Sequence, residues 1–487
     1  MLTNPSPSDW RKRPRKPRDP KPRFKADLEK QLDGIEGCPE LQVPEGHLAR
    51  AVLSFVRLLG AEQLAESYSA LGRRGYRPDR LLAILVYGSL IGLHHSTKLG
   101  RACQTDAALR WLAGGWRPSA TTLRRFRQQQ AAFFEVALAR TVALAAERGL
   151  LDLEDLAVDS VRLRAHASTH EVRTETRSTK RLAELEANVP DVTDAEAVAL
   201  HASKVRKHRD ALARLTEEER TNVVLTNPSA GLMKFPSGAS APGHRVTVVA
   251  SGVSQRIAIG LLIDASGSDN GKLGPAIANA LTTLDELGIA KGKRIVVAAD
   301  AGYFTERDLA WADAHRDRVD VLIHEAAKSQ GGRTTMDRTH FLVPADGSAP
   351  TCPAGTLMAG PYDRPSGDRD WRGVGCVDCP LRSSCTTAKH RTITIRPEFE
   401  RLRDSMRARM AEPGAKERYG RRIATVEPVF GHVQDAMGFR RVSTRHAVGV
   451  RAEIFLKFLA HNIARLIEGD RLRLVYLLDE PEFWSTL

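Results

Sequence analysis

The sequence has little of what marks membrane-spanning and disulfide-stabilised proteins. It contains 6 cysteines in 487 residues, which is too few for a disulfide scaffold. Its longest apolar stretch, Leu81–Leu93, is interrupted by Tyr87, Ser89 and two glycines. Because a membrane span needs about 20 apolar residues, we expect a buried helix here. No apolar core follows the basic N-terminus, so we expect no secretory signal. With 42% hydrophobic and 27% charged residues, the composition indicates a globular, intracellular protein of several domains.

Positive charge is concentrated in two regions of the chain. The formal net charge is +14, and residues 1–25 supply nine basic and two acidic side chains together with six prolines. The prolines favour an extended arm over a helix. Residues 389–451 hold fifteen basic and seven acidic side chains. Two basic regions on a nearly neutral body favour a polyanionic partner, with nucleic acid first. The alternative is a solubilising tail and a solvated helix face.

Residues 47–150 have the apolar spacing of helices. Ser119 is a typical N-cap for a helix over Thr121–Phe134. We expect Arg124, Arg125 and Arg127 to project from this helix, either as DNA contacts or as an ordinary solvated basic face.

From residue 153 onward, strand-like and helical segments alternate, which predicts an α/β fold with a mixed sheet flanked by helices. Residues 171–220 are polar and charged, and they indicate an inserted helical pair or a partly mobile spacer.

Three acids occupy positions that suit a metal site. Asp159 lies in the first predicted strand, and Asp300 ends a very apolar strand. Glu427 precedes Pro428, and we expect it at the beginning of a helix because proline favours the first turn. Carboxylates from distant parts of a chain can converge on Mg²⁺ or Mn²⁺. Periodicity alone would not distinguish these acids from solvated or capping ones.

Several short motifs follow one another along the chain, namely Leu156-Ala-Val-Asp159-Ser160, Leu232-Met-Lys234, Ala298-Ala-Asp300-Ala-Gly-Tyr303, Tyr419-Gly-Arg-Arg422, Glu427-Pro-Val-Phe-Gly431, Gly438-Phe-Arg-Arg441 and Leu459-Ala-His-Asn462. These motifs resemble those of bacterial insertion-sequence transposases of the DDE class. The resemblance runs from about residue 47 to residue 466, in the order of that family.

The resemblance implies a ribonuclease H-like catalytic domain with Asp159, Asp300 and Glu427 as the catalytic, metal-binding triad. Two Mg²⁺ or Mn²⁺ ions would assist in-line attack on phosphorus. Tyr419 and Arg422 match a signature that the family uses at the transposon end, although Arg422 could instead form an intradomain ion pair.

One position departs from the family pattern. Relatives often carry a lysine facing DNA where this chain has Gln434, and Arg440 and Arg441 could compensate for that missing cation. We expect a packing and hydrogen-bonding role for His461 and Asn462.

Four cysteines fall within 34 residues, at Cys352, Cys376, Cys379 and Cys385. Cys376 and Cys379 have the spacing of a metal knuckle, and four thiolates could bind structural Zn²⁺ and staple a loop-rich insertion. Related transposases show a similar insert. Reduced free thiols are the alternative, and the spacing fits no standard iron–sulfur run.

These observations predict four regions. They are a basic arm (1–40), a helical DNA-binding or assembly domain (41–150), a catalytic domain (151–470) and a tail (471–487). The catalytic domain would contain a helical insertion at about 165–222 and a cysteine-rich insertion at about 328–395.

We expect a DNA transposase that acts on terminal inverted repeats and target DNA. It would work as a homodimer on DNA, in the bacterial cytoplasm near the nucleoid, without a membrane partner. The alternatives are a catalytically decayed or repurposed DNA-binding protein, a nuclease that only hydrolyses, and a structural basic protein. The last would leave the matched motifs unexplained.

Overall fold

The computed structural model describes residues 24–28, 38–68, 74–252, 254–325, 336, 340–344 and 346–479. Residues 1–23 and 29–37 of the predicted arm, residues 480–487 of the predicted tail and part of the predicted cysteine-rich insertion therefore lie outside the described residues. In the described part of the chain, no helix combines the length and the apolar character that crossing a membrane requires.

Helices α1 to α15 cover, in chain order, Pro39–Gln42, Leu48–Leu58, Pro78–Leu90, Ser96–Thr105, Ala107–Leu112, Ala120–Gln129, Ala131–Glu147, Glu175–Ala187, Ala195–Glu217, Leu273–Glu286, Glu306–Ala314, Arg382–Cys385, Pro397–Ala411, Ala415–Gly431 and Ala447–Asp479. Strands β1 to β11 cover Leu156–Arg164, Val172–Arg173, Val223–Val224, Gly231–Lys234, Ser240–Ser251, Ile257–Asp264, Ile295–Ala299, Val319–Ile323, Ala359–Asp363, Arg369–Arg372 and Thr392–Ile395.

The chain folds into two compact units that alternate along the sequence. The sheet unit consists of the described residues within 145–162 and 230–430, and the helical unit consists of the described residues within 1–144, 163–229 and 431–487.

A mixed sheet forms the centre of the sheet unit. Within the described residues it has six strands in the order β4-β5-β1-β7-β8, and β6 also pairs with β5. Strands β1, β7 and β8 run parallel, whereas β4 and β6 are antiparallel to β5. Strands β7 and β8 are largely buried apolar runs, as expected where helices cover a parallel sheet. The expected mixed sheet with flanking helices is therefore present.

Strands β9, β10 and β11 form a separate three-stranded antiparallel sheet in the sheet unit. A small core of Phe341, Met358, Trp371 and Ile393 lies beside it. The cysteine-rich insertion therefore has a small core, to which residues from several of its segments contribute.

Helix α3 is the centre of the helical unit. All its residues from Pro78 to Ser89 are buried, which confirms the buried helix expected over the longest apolar stretch. It packs against α2, α5 and the long helix α15. On α15, His461 and Asn462 are buried, and Asn462 donates a hydrogen bond to Thr141 Oγ1 at 2.8 Å, as the expected packing role requires. Residues 171–220 form the helical pair α8 and α9.

Candidate active site

Asp159 and Asp300 lie on neighbouring parallel strands. Val158 of β1 pairs with Ala299 of β7, and each acid is the next residue of its chain segment. The register therefore brings both acids to the same level of the sheet. Asp159 lies within β1, whereas Asp300 directly follows β7. Their side chains are 23% and 48% exposed, so the site opens to solvent on the Asp300 side.

Glu427 lies near the C-terminal end of α14, and the prediction that it begins a helix was wrong. The reason is that Pro428 stands inside this helix. Proline has no N–H to donate to the carbonyl four residues back, which belongs to Ala424. That carbonyl instead accepts a hydrogen bond from Arg256 Nε at 3.0 Å. The substitute donor satisfies the carbonyl, and Glu427 is exposed at the end of the helix.

Arg422 joins the two strand acids. Its Nη1 lies 3.3 Å from Asp159 Oδ2, and its Nη2 lies 3.3 Å from Asp300 Oδ1. The guanidinium group also lies 5.9 Å from the centre of the Tyr419 ring, one helical turn earlier on α14. Arg422 is buried. The intradomain ion pair considered as an alternative for Arg422 is thus present in this structure.

The protonation of Asp159 responds to its surroundings. Burial raises the pKa of its carboxyl to about 6, against a hydrogen bond from the Ser160 amide and the charge of Arg422, which lower it. The negative charges of Asp300 and Glu427 raise the pKa further. The three predicted triad acids therefore lie close enough to influence one another electrostatically.

The donor set suits a hard divalent cation, because all three side chains offer carboxylate oxygens. The Arg422 guanidinium bridges Asp159 Oδ2 and Asp300 Oδ1 in this structure, so a cation would compete with it for these two oxygens. Across the described ranges, no three His, Cys, Asp or Glu side chains are arranged to hold a metal ion.

A polar network that sequence reasoning missed supports Asp159. The Ser160 amide donates to Asp159 Oδ1 at 2.7 Å, and the Ser160 hydroxyl donates to Asp269 Oδ1 at 2.7 Å. Arg245, at the start of the apolar part of β5, is fully buried and forms an ion pair with Asp269. A charged residue in such a buried strand was the available sequence signal for this network.

The three predicted arginines of α6 differ in exposure. Arg124 and Arg125 are exposed. Arg127 is buried at 4% exposure, and its Nη1 lies 3.9 Å from Glu453 Oε1. It projects from the helix toward α15, because it falls four residues after buried Leu123. The expectation that Arg127 belongs to the exposed face was therefore wrong. Ser119 does cap α6, but the helix ends at Gln129 instead of continuing to Phe134.

Arg440 and Arg441 follow the short π-helix His432–Ala436 in the helical unit. Both are exposed. Arg440 forms an ion pair with Asp435 and donates to the Gln434 carbonyl at 3.3 Å, whereas Arg441 donates to the Ala165 carbonyl at 3.2 Å. Their charges face solvent, but neither contact involves the Gln434 side chain.

The four clustered cysteines line one pocket of the sheet unit. Cys352, Cys376, Cys379 and Cys385 all contribute to its wall, and all four are free thiols. Burial raises the pKa of Cys385, and the other three sulfurs raise it further, whereas Arg391 lowers it. The sulfurs are thus neighbours, but in the described part of the chain they do not form a closed metal site.

Two parts of the chain match protein families. Residues 351–467 match the family described as Transposase DDE domain, and residues 38–129 match Transposase domain (DUF772). No curated protein and no solved structure matches this chain. The first match includes Glu427 and the four cysteines but begins after Asp159 and Asp300. A transposase DDE domain implies a ribonuclease H-like fold, with which the mixed sheet and its flanking helices agree. Both matches are to transposase families, and together they indicate an insertion-sequence transposase of the DDE class.

Proposed function

We propose that this transposase cuts transposon ends and joins them to target DNA by phosphoryl transfer, with Asp159, Asp300 and Glu427 as the catalytic and metal-binding residues. The strand register that aligns Asp159 with Asp300 carries this proposal. The electrostatic effect of Glu427 on Asp159 supports the third member. Three oxygen donors from distant segments suit two Mg²⁺ or Mn²⁺ ions.

The cations would supply charge neutralisation at the scissile phosphate and activation of the attacking hydroxyl group. Phosphoryl transfer requires positioning and charge stabilisation more than covalent participation of the protein. The carboxylates would provide fixed ligands, because Asp159 is held by the Ser160 amide and Asp300 by the adjacent end of β7. Arg422 would exchange its two carboxylates for a phosphate group, whose oxygens suit a guanidinium fork.

The proposed DNA contacts are basic or aromatic side chains in both units. They are Tyr419 and Arg422 in the sheet unit, and Arg124, Arg125, Arg440 and Arg441 in the helical unit. Arg127 is left out because it is buried. The partner is double-stranded DNA with terminal inverted repeats, together with target DNA. Since two transposon ends must react, we propose a homodimer on DNA.

We also propose roles for the two largest predicted regions and for the cysteine cluster. Residues 41–150 would serve DNA-end recognition or assembly, and residues 151–470 would carry catalysis. The four cysteines would bind one structural Zn²⁺ after a small closure of their pocket, since the thiols already share its wall.

The deciding experiment is cleavage of DNA that carries the terminal repeats flanking this gene, with Mg²⁺ or Mn²⁺. Wild type should cut at the repeat ends, whereas Asp300→Asn should not cut but should still bind. Asp317→Asn is the matched control, because Asp317 is an exposed acid after α11 that lies outside the site. Equal cleavage by wild type and Asp300→Asn would contradict the triad, and strand transfer by wild type would separate transposition from simple hydrolysis.

A DNA-binding protein without cleavage activity is the second candidate. The ion pairs of Arg422 with Asp159 and Asp300 favour this candidate. So does Gln434, which stands where related transposases often carry a lysine. This candidate would be supported if wild type bound DNA without cutting it and if Gln434→Lys restored cleavage.

A further inference from the structure

Asp269 is tied to the proposed catalytic acid Asp159 through a single residue. It lies in the loop between β6 and α10. Its Oδ1 accepts a hydrogen bond from the Ser160 hydroxyl at 2.7 Å, and the Ser160 amide donates to Asp159 Oδ1 at 2.7 Å. Ser160 thus holds two carboxylates at once, and the position of Asp269 is coupled to that of Asp159.

Arg245 anchors Asp269 from inside the sheet unit. Its side chain is 0% exposed, it forms an ion pair with Asp269, and its Nη1 lies 3.1 Å from the Ser160 hydroxyl. Its Nε donates to the Ser266 carbonyl at 3.1 Å. Removing the partner of a buried charge is strongly destabilising. Asp269 is therefore a fixed carboxylate and differs from an ordinary solvated acid on a loop.

Gly302 lies between Asp269 and Asp300. A Cβ at this glycine would stand 3.5 Å from Asp269 Oδ2 and 3.8 Å from Asp300 Oδ2. Both are ordinary contact distances, and the glycine does not have a positive φ. Neither backbone strain nor a clash therefore requires glycine here. A methyl side chain here would, however, contact one oxygen of each carboxylate.

We propose that Asp269 is a fourth carboxylate of the cation site, which faces Asp300 across Gly302 and strengthens divalent-cation binding by accepting hydrogen bonds from the cation's water shell. The inference rests on the proposed function, because it takes Asp159 and Asp300 as cation ligands. Arg245 is the residue that positions Asp269, through the ion pair and the shared Ser160 hydroxyl. Partners outside the direct ligands commonly change metal affinity about 10-fold to 100-fold when they are removed.

The test is calorimetric titration of Mn²⁺ into the full-length protein without DNA. Asp269→Asn should weaken Mn²⁺ binding about 10-fold. Asn270→Ala, in the same loop and exposed, is the matched control and should bind as wild type does. Asp300→Asn, a direct ligand in the proposed function, should lose this binding. Circular dichroism without metal checks that each variant is folded.

The outcomes separate the two proposals. Wild-type affinity in folded Asp269→Asn, with binding lost in Asp300→Asn, would overturn the role of Asp269 alone. Wild-type affinity in Asp300→Asn would overturn the cation site itself. Because Asp269→Asn leaves Arg245 with a neutral partner and could unfold, Gly302→Ala is the second variant. It keeps the ion pair and should weaken Mn²⁺ binding several-fold, and unchanged affinity in folded Gly302→Ala would also overturn the assignment of Asp269.

Discussion

Both units bury charged side chains, but the surroundings of those charges differ. In the sheet unit, Arg245 is fully buried while its partner Asp269 is 25% exposed beside the proposed catalytic acids. In the helical unit, Lys457 and Glu453 are both buried, and Lys457 donates to the buried Ser89 hydroxyl at 2.7 Å. A buried charge that holds a partly exposed carboxylate can serve a reactive site. A charge enclosed among helices is expected to affect the stability of the fold instead.

The largest effect is expected for the partly exposed carboxylates of the sheet unit. Asp159→Asn removes one carboxylate of the proposed triad and should lower DNA cleavage about 1,000-fold, because charge stabilisation of the transition state is lost. DNA binding and the thermal unfolding temperature should change little. A gel assay of strand cleavage and a melting curve measure both quantities. If Asp159→Asn lost both its fold and its cleavage activity, Asp159 would have a structural role like that of the buried charges in the helical unit.

The next effect concerns the enclosed charges. Glu453→Gln leaves the buried Arg127 and Lys457 without their carboxylate, which should cost about 3 kcal/mol of unfolding free energy. Urea denaturation measures this loss. Glu135→Gln is the matched control, because its ion pair with Arg451 is partly exposed and should cost less than about 1 kcal/mol. Equal losses in both variants would contradict the distinction between enclosed and exposed charges.

The pH dependence of stability tests whether the enclosed Lys457 side chain is charged. Burial lowers the pKa of Lys457 to about 7, although the charge of Glu453 raises it. Between this value and the ordinary lysine pKa, the unfolded chain binds one more proton than the folded chain, so the Lys457 contribution to stability increases with pH in that window. Lys457→Met should therefore stabilise the protein most near pH 7 and less at pH 9. Urea midpoints at both values test this, and a constant difference would show that Lys457 is charged in the fold.

The cysteine pocket tests whether a metal adds to a core that already exists. Cys376→Ser with Cys379→Ser should remove about one Zn²⁺ per chain, as measured by elemental analysis. The fall in stability should be partial, because Phe341, Met358 and Trp371 remain packed. Cys38→Ser is the control, since Cys38 lies outside the pocket. Wild-type protein without zinc would remove the metal from the proposal.

The smallest effect concerns exposed charge. Arg124→Gln with Arg125→Gln should weaken DNA binding uniformly across sequences and reduce the slope of log affinity against log salt by about two. Binding titrations at several salt concentrations measure the slope. Arg214→Gln is the control, because exposed Arg214 is already paired with Glu218 at 3.3 Å. An unchanged slope in the double variant would make α6 a solvated face only.

The α/β fold could be predicted because strand and helix periods alternate clearly from residue 153 onward. The motifs that resemble the transposase family singled out Asp159 and Asp300. The pairing register of β1 and β7 places the two acids at the same level of the sheet. The same motifs singled out Glu427, but the prediction placed it at the beginning of a helix, whereas it lies near the C-terminal end of α14. A proline usually marks the first turn of a helix, whereas here Arg256 binds the carbonyl that Pro428 leaves without its usual N–H donor.

Other residues could not be placed from the sequence because distant partners decide their environment. Arg127 looks like its neighbours Arg124 and Arg125 until Glu453 and α15 are packed beside it. Asp269 lies in a polar loop of Ser, Gly and Asn residues, where an acid is ordinary. Only the folded position of Arg245 distinguishes it.

Local sequence largely sets which segments become strands and helices, since apolar periodicity and capping residues act over a few neighbours. The short motifs of the sequence also carry its resemblance to the transposases of the DDE class. The tertiary structure decided which charges are buried, which carboxylates meet and which cysteines share a pocket. The meeting of the carboxylates, for example, depends on contacts between residues more than a hundred positions apart, such as Asp159 with Arg422 and Ser160 with Asp269. No local pattern encodes such contacts, because burial and electrostatic coupling arise only when the elements pack.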